Sequence, residues 1–199
     1  MSRIAPVAAG SAGPLVRLAH RYARARFGQV PEPFQVMAHS GPVMWTNAAL
    51  ESAVERGWTS LDAELRELAQ LRAALTVACP WCVDFGSMLG VRAGTSRAKL
   101  EAVPEWRTSG LFSALERLVL DYAEALSETP LRVTDELVAD LRAHLSERQL
   151  VELTSLVALE NSRARFNAGL DIGQQGFSAG SCAVRVPGTA GSAPTTGAT

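Results

Sequence analysis

The chain has 199 residues, of which 47% are hydrophobic and 20% are charged, and its formal net charge is −1. This size and composition are typical of a single globular domain with a full hydrophobic core. The near-neutral charge argues against a nucleic-acid partner, because such binding depends largely on cationic side chains that displace counterions. No apolar run approaches the roughly 20 residues that a membrane-spanning helix needs, so we expect no membrane partner either.

The cysteine content and the N-terminal residues bear on the cellular compartment. Three cysteines are too few for a secreted domain framed by disulfides. Gly and Pro interrupt the N-terminal stretch "IAPVAAGSAGPLV", whereas a secretory signal needs an unbroken apolar segment. We therefore expect a cytoplasmic protein, in which two close cysteines are more often catalytic or metal-binding than structural.

The chain divides into three predicted segments. Residues 1–14 are expected to be flexible, residues 15–177 to form one helical domain, and residues 178–199 to form a disordered tail. The tail is rich in small and polar residues and has too little apolar surface to offset the entropy of ordering. Because no alternating strand pattern occurs between the ends, we predict an all-α fold, a single-domain bundle of antiparallel helices.

Apolar periodicity and turn signals predict the helices in chain order. The first covers 15–27. Its inward-facing residues are expected to be Leu15, Leu18, Ala19 and Tyr22. A second helical stretch covers 33–56 with an interruption near Gly41, and Thr59 or Ser60 is expected to cap the helix that follows.

The third predicted helix, over 61–78, has the clearest pattern. Its leucines recur at spacings of three and four residues and form one apolar stripe. These are Leu61, Leu65, Leu68, Leu71 and Leu75. Later helices are expected from the cysteine pair to about Val91, after a cap at Thr95 or Ser96, and over about 110–128, 134–145 and 146–170. Ser146 and Gln149 have the spacing of a capping box.

Cys79 and Cys82 stand two residues apart in the stretch "ACPWCVDF", and three kinds of site begin this way. A structural zinc ion needs four ligands, but the third cysteine, Cys182, lies in the predicted tail and the three histidines are isolated, so we predict no metal. Two buried cysteines can also be inert members of a core. The sequence predicts no other cofactor.

A redox dithiol is the third interpretation, and the flanking residues favour it. Pro80 suits the first position of a helix, which places Cys79 near the cap and Cys82 in the first turn. Unpaired backbone N–H groups and the positive end of the helix dipole stabilise a thiolate there. Cys79 is then placed to close onto an oxidised Cys82.

The string "ELAQLRAALTVACPWCVDFGSMLGVRAGTS" resembles the carboxymuconolactone decarboxylase-like family, in particular its alkyl hydroperoxidase D-type branch. In that branch a glutamate lies twelve residues before the first cysteine, as Glu67 lies before Cys79. A weaker resemblance covers "ENSRARFNAGLDIG", where Asn161 and Arg165 stand at matching places.

The resemblance implies roles for three residues. Cys82 would attack a peroxide, Cys79 would resolve the product as a disulfide, and Glu67 would begin a proton relay. It also implies a hydroperoxide or disulfide substrate, an external thiol protein or lipoyl-type donor as reductant, and a homo-oligomer, often a trimer or a multiple of one.

The chain departs from the family's peroxidase motif at two positions. The motif has a histidine just before the second cysteine and another four residues after it, where this chain has Trp81 and Gly86. Glycine cannot act as the base that one helical turn would bring to the thiol. His20 or His39 would have to fold into the site to replace them. Trp81 is expected either to cover the pair or to belong to the core.

Arg72 is unusual because helical geometry places it within the leucine stripe. A buried arginine needs an acidic partner. The candidates are Glu67, Asp84 and Glu160. Asp84 is also near Cys82 in sequence, but it is expected on a different helix face and so does not replace a motif histidine. A structural ion pair is the favoured interpretation.

Three functions fit these observations. The favoured one is a thiol-dependent antioxidant enzyme that reduces hydroperoxides or exchanges disulfides through Cys82, Cys79 and Glu67. The second is a non-catalytic ligand-binding or redox-sensing protein on the same scaffold, which the missing histidines favour. The third is a lactone decarboxylase, against which the cysteine pair counts, and whose cationic anchors would be Arg72, Arg163 or Arg165.

Overall fold

The computed structural model describes residues 2–8, 10–179 and 184, and all regular secondary structure in this part of the chain is helical, with no strand. Its nine α-helices are α1 (Pro14–Phe27), α2 (Glu32–Met37), α3 (Gly41–Gly57), α4 (Ala63–Thr76), α5 (Pro80–Arg92), α6 (Arg97–Ala102), α7 (Ala114–Ser127), α8 (Asp135–Arg142) and α9 (Glu147–Gly169). A 3-10 turn, Val103–Glu105, follows α6. The predicted all-α fold class is confirmed. None of these helices is both long and apolar enough to cross a membrane.

Helix α4 is at the centre of the bundle and packs against α5, α7 and α9. All five leucines of the predicted stripe are buried. The stripe is split between two adjoining cores because α4 has neighbours on several sides. Leu68, Leu71 and Leu75 pack with the cysteine pair, whereas Leu61 and Leu65 pack with α7, α8 and α9.

The predicted helix ends are partly right. Ser96 caps α6, and Ser146 and Gln149 form the capping box of α9, as expected. The expectation that Thr59 or Ser60 caps α4 is wrong. Asp62 is the cap, and its side chain accepts a hydrogen bond of 2.9 Å from the Glu64 N–H. A carboxylate directly before the helix also interacts favourably with the helix dipole.

The predicted inner face of α1 is wrong for its three large residues. Leu15, Leu18 and Tyr22 are 57–65% exposed. A second stripe at helical spacing faces inward instead: His20 packs edge-on against Phe34, Ala23 is buried, and Phe27 packs against Phe85. Residue spacing allows both stripes, and the position of α1 against α2 and α5 selects between them.

Residues outside 15–177 contact the helical body where the structure describes them. The Arg3 N–H donates to the Leu170 carbonyl at 2.7 Å, and the Val7 N–H donates to the Gln35 carbonyl at 3.3 Å. The predicted segment boundaries stay predictions. Most of the predicted tail, including Cys182, lies outside the described residues.

Candidate functional site

The turn between α4 and α5 reverses the chain within three residues. The Cys79 N–H donates to the Ala74 carbonyl at 3.0 Å, and the Ala78 N–H donates to the Leu75 carbonyl at 3.1 Å. Ala78 takes the left-handed conformation, with φ of 52°, that ends many helices in this pattern of bonds. Pro80 then begins α5, so the cysteines stand at a helix start, as predicted.

Cys79 and Cys82 are joined by a disulfide, with their Cα atoms 5.3 Å apart. Cys79 is the N-cap of α5, and its Sγ accepts a hydrogen bond of 3.2 Å from the Cys82 N–H. Cys79 is 2% exposed and Cys82 is 4% exposed. The structure therefore brings together the two predicted thiols in their oxidised, buried state.

Asn167, near the end of α9, reaches both sulfurs. Its Nδ2 lies 3.4 Å from Sγ of Cys82 and 3.7 Å from Sγ of Cys79. The residue is 2% exposed, and its Oδ1 is buried without a hydrogen-bond partner in the described part of the chain. The prediction from sequence missed Asn167, because no spacing rule connects it to cysteines more than 80 residues away. The one signal that could have drawn attention to it is its place in "RFNAGL", within the stretch of weaker resemblance.

Asn161 and Arg165, the matching residues in the weaker resemblance, lie elsewhere. Nδ2 of Asn161 donates to Oγ of Ser127 at 2.8 Å, and Arg165 donates to Oδ1 of Asn161 at 2.8 Å. Arg165 and Ser127 line a cavity of about 500 Å³. Val77 also lines this cavity and packs against the core that contains both cysteines.

Glu67 is partly buried on α4 and is surrounded by charges. Burial raises its pKa to about 7, and the neighbouring Glu160 carboxylate acts in the same direction, whereas Arg66 and Arg163 oppose the shift. Arg163 is itself engaged by two carboxylates, at 3.0 Å from Glu160 and 2.5 Å from Glu51. A carboxyl group with a pKa near 7 can both accept and release a proton at neutral pH.

No hydrogen bond connects Glu67 to the cysteine pair within residues 2–8, 10–179 and 184. Glu67 precedes the end of α4 by nine residues, about 13 Å along the helix axis. Gly86 lies one turn after Cys82 on α5, and a Cβ placed there would meet no atom within 4 Å. At the position of the second motif histidine, the chain therefore offers no side chain that could carry a proton toward Cys82.

His20 and His39, the two histidines considered as replacements, do not fill that gap. The His20 ring packs against Phe34, and Nε2 of His39 lies 2.9 Å from the Ala5 carbonyl oxygen. Neither histidine hydrogen-bonds to a sulfur of the pair in the described structure.

Arg72 forms the expected buried ion pair, but all three predicted partners are wrong. Its guanidinium lies 2.9 Å from the Glu124 carboxylate on α7. The three candidates lie on α4, α5 and α9, whereas the acid that reaches Arg72 comes from α7, which also packs against α4.

Trp81 both belongs to the core and lies under a C-terminal segment. It is 8% exposed and stacks on Phe85, with ring centroids 4.8 Å apart. Its Nε1 donates to Oε1 of Gln175 at 2.7 Å. Asp84, on a different face of α5 as expected, accepts hydrogen bonds from four consecutive backbone N–H groups, those of Gln175, Gly176, Phe177 and Ser178.

Comparisons with known proteins find similarity in sequence and in fold. A profile of the carboxymuconolactone decarboxylase family matches residues 42–125. The uncharacterized protein YnjA of Escherichia coli is 40% identical over 154 residues, which cover 77% of this chain and 85% of YnjA.

Two solved structures show the same fold. One is the alkylhydroperoxidase AhpD core of an uncharacterized peroxidase-related protein from Ralstonia eutropha, with a TM-score of 0.79, 16% identity, and 87% of this chain and 92% of that chain covered. The other is the debrominase Bmp8, with a TM-score of 0.77, 22% identity, and 86% and 91% covered. At these identities the likeness concerns the fold alone.

Proposed function

The chain belongs to the carboxymuconolactone decarboxylase family, and from this premise we propose that it is a thiol-dependent antioxidant oxidoreductase. Its working group is the Cys79–Cys82 pair, which cycles between dithiol and disulfide. The observation that carries the proposal is the disulfide at the start of α5, with hydrogen-bond donors on both sulfurs. Donors at a helix N-terminus favour the thiolate, the reactive form of cysteine.

The proposed cycle has three balanced steps. The Cys82 thiolate attacks a hydroperoxide, which takes up one proton and leaves as an alcohol, while Cys82 becomes a sulfenic acid. The Cys79 thiol then attacks that sulfur, forming the disulfide and releasing water. An external dithiol reduces the disulfide by two electrons and is itself oxidised to a disulfide.

Glu67 is the proposed proton acceptor and donor for this cycle. Its pKa of about 7 suits either direction of transfer. Because Gly86 and Trp81 replace the motif histidines, and the cysteines are buried, proton transfer between Glu67 and the sulfurs would require water to enter the site. Disulfide exchange with an oxidised thiol substrate places a smaller demand on that path than hydroperoxide reduction does.

The proposed partners are an external thiol reductant protein and further copies of this chain. Exposed apolar side chains support the second partner. Leu15, Leu18 and Tyr22 on α1, and Trp45 on α3, are 43–65% exposed, and apolar patches of this kind are common at protein interfaces. Sedimentation of the purified chain would test for a trimer or a multiple of one.

The other two functions fit the structure less well. A ligand-binding or redox-sensing protein has no use for a carboxyl group whose pKa is raised to about 7, as that of Glu67 is. For such a protein, loss of Glu67 would leave its activity unaffected. A lactone decarboxylase needs a cationic anchor, but Arg72 is held by Glu124, and Arg163 is held by Glu51 and Glu160. Arg165 is the remaining candidate among the three.

The decisive experiment is a thiol titration of the fully reduced protein before and after a small excess of cumene hydroperoxide. We expect wild type to lose two thiols, and Cys79→Ser to stop at a sulfenic acid that dimedone traps. Cys82→Ser is expected to react no faster than free cysteine. Glu67→Gln is expected to react more slowly than wild type. Glu64→Gln, on the same helix, is its control and is expected to react like wild type. If every variant reacts at the rate of free cysteine, peroxidase activity is excluded, and a parallel assay with oxidised glutathione tests disulfide exchange.

A further inference from the structure

The amide of Asn167 is poorly matched to the disulfide that it contacts. Nδ2 donates toward two neutral sulfurs, at 3.4 Å and 3.7 Å, and such sulfurs are weak acceptors. Oδ1, on the same amide, is buried without a partner in the described structure. A disulfide carries no hydrogen, so it has nothing to donate to Oδ1. An orphaned buried acceptor of this kind is costly to keep.

Reduction would supply the missing partners. A dithiol that has lost one proton contains one thiolate, which is a strong acceptor for Nδ2 because the hydrogen bond is then assisted by charge. It also contains one thiol, whose S–H can donate to Oδ1. Cys82 is the nearer sulfur to Nδ2, and Cys79 is the other sulfur within reach of the same amide.

We propose that Asn167 is a positioning residue that favours the reduced pair by hydrogen-bonding the Cys82 thiolate through Nδ2 and the Cys79 thiol through Oδ1. The proposal rests on the proposed function and deepens it, because it assigns to α9 a residue that sets the balance between the disulfide and the dithiol. Asn167 neither accepts nor releases a proton itself. It acts on the thiolate and on the balance between disulfide and dithiol.

The corresponding reaction is a two-electron exchange with an external dithiol. The protein disulfide and the reduced dithiol give the Cys79 thiol, the Cys82 thiolate, one free proton and the oxidised dithiol. Any group that stabilises the right-hand side makes the protein disulfide easier to reduce.

The test uses the full chain equilibrated with mixtures of reduced and oxidised dithiothreitol, with the thiolate followed by its ultraviolet absorbance as pH is varied. Asn167→Leu has nearly the same shape without the donor or the acceptor. We expect it to shift the equilibrium toward the disulfide by about tenfold, which corresponds to about 30 mV for two electrons, and to raise the pH at which the thiolate forms. Asn161 is another buried asparagine of α9, but its amide donates to Ser127 and makes no hydrogen bond to either sulfur in the described structure. Asn161→Leu is therefore the matched control and is expected to leave both quantities unchanged.

Asn167→Asp keeps the shape of the side chain and places a negative charge beside the sulfurs. Like Asn167→Leu, it is expected to shift the equilibrium toward the disulfide and to raise the pH at which the thiolate forms. It replaces the leucine variant if that variant does not fold. Equal values for wild type and a folded Asn167 variant, or a shift toward the dithiol, overturn the proposal. A pair in wild type that dithiothreitol cannot reduce and reoxidise reversibly overturns the proposed function itself. The two failures are therefore distinguishable.

Discussion

Arg72 of α4 and Glu124 of α7 form a buried ion pair, 2.9 Å apart, that joins the two helices across the centre of the bundle. Glu124 has further partners, because Arg107 contacts it at 2.9 Å and Trp106 donates to it at 3.1 Å. Glu124 is the only acid in an ion pair with Arg72 in the described part of the chain. Replacing Glu124 and replacing Arg72 should therefore affect stability by different amounts.

We predict that Glu124→Gln destabilises the protein more than Arg72→Met does. The first change leaves a buried guanidinium without an acid and should lower the free energy of unfolding by about 3 kcal/mol. The second leaves Glu124 with Arg107 and should cost about 1–2 kcal/mol. Urea unfolding of both single variants and the double variant measures the difference. Equal losses of unfolding free energy in the two single variants would contradict the prediction. So would a double variant whose loss is the full sum of the two single losses.

Glu67 is predicted to affect stability and reactivity in the same pH range. Its folded-state pKa of about 7 lies above the ordinary value of 4.5, so the folded state favours the neutral carboxyl group. The stability contributed by neutral Glu67 is present at low pH and declines as pH rises through this interval. Glu67→Gln should therefore match wild type near pH 4 and exceed its unfolding free energy by about 3 kcal/mol near pH 8.

The same substitution should remove a step from the pH profile of thiol oxidation. Wild type is expected to react faster as Glu67 ionises around pH 7, whereas Glu67→Gln should lack this step and keep only the dependence due to the thiolate. Rates of hydroperoxide consumption across pH check this. A wild-type profile that coincides with that of Glu67→Gln would remove Glu67 from the proposed mechanism.

Gly86 offers a gain-of-function prediction. A Cβ at this position meets no atom within 4 Å, so Gly86→His should fold, and it would place an imidazole one turn after Cys82. We expect hydroperoxide reduction to become about 100-fold or more faster, which is the lower end of the contribution of general acid–base catalysis.

Gly86→Ala is the matched control for that variant. It should raise stability by about 0.5–1 kcal/mol, because glycine is unfavourable within a helix, without changing the rate. If the alanine and histidine variants react equally fast, the missing histidine does not limit the reaction.

Asp84 is predicted to control access to the pair. Its carboxylate holds the backbone N–H groups of residues 175–178, and Gln175 in turn contacts Trp81 beside the cysteines. Asp84→Asn replaces one acceptor with a donor that faces those N–H groups, so the segment should loosen and the buried disulfide should react several-fold faster with glutathione. Asp140→Asn, on the exposed side of α8, is the control and should react like wild type. An unchanged rate in Asp84→Asn would show that this segment does not limit access.

Local features of the sequence were enough to predict the all-α fold, most helix ends and the position of the cysteine pair. The leucines of α4 repeat every three or four residues, and Pro80 permits only a narrow set of backbone angles that suits a helix start. Each of these signals acts within one or two turns of the chain, where backbone geometry relates residue number directly to position.

The partners of individual side chains depended on packing between helices that are distant in sequence. Arg72 pairs with Glu124 rather than with any nearer acid, α1 buries His20 and Ala23 instead of its leucines, and Asn167 reaches sulfurs that lie more than 80 residues before it. Periodicity specifies which side of a helix is apolar but not which helix covers it. The crossing of α4, α7 and α9 therefore determined the surroundings of the cysteine pair, and only the tertiary structure could bring Asn167 to it.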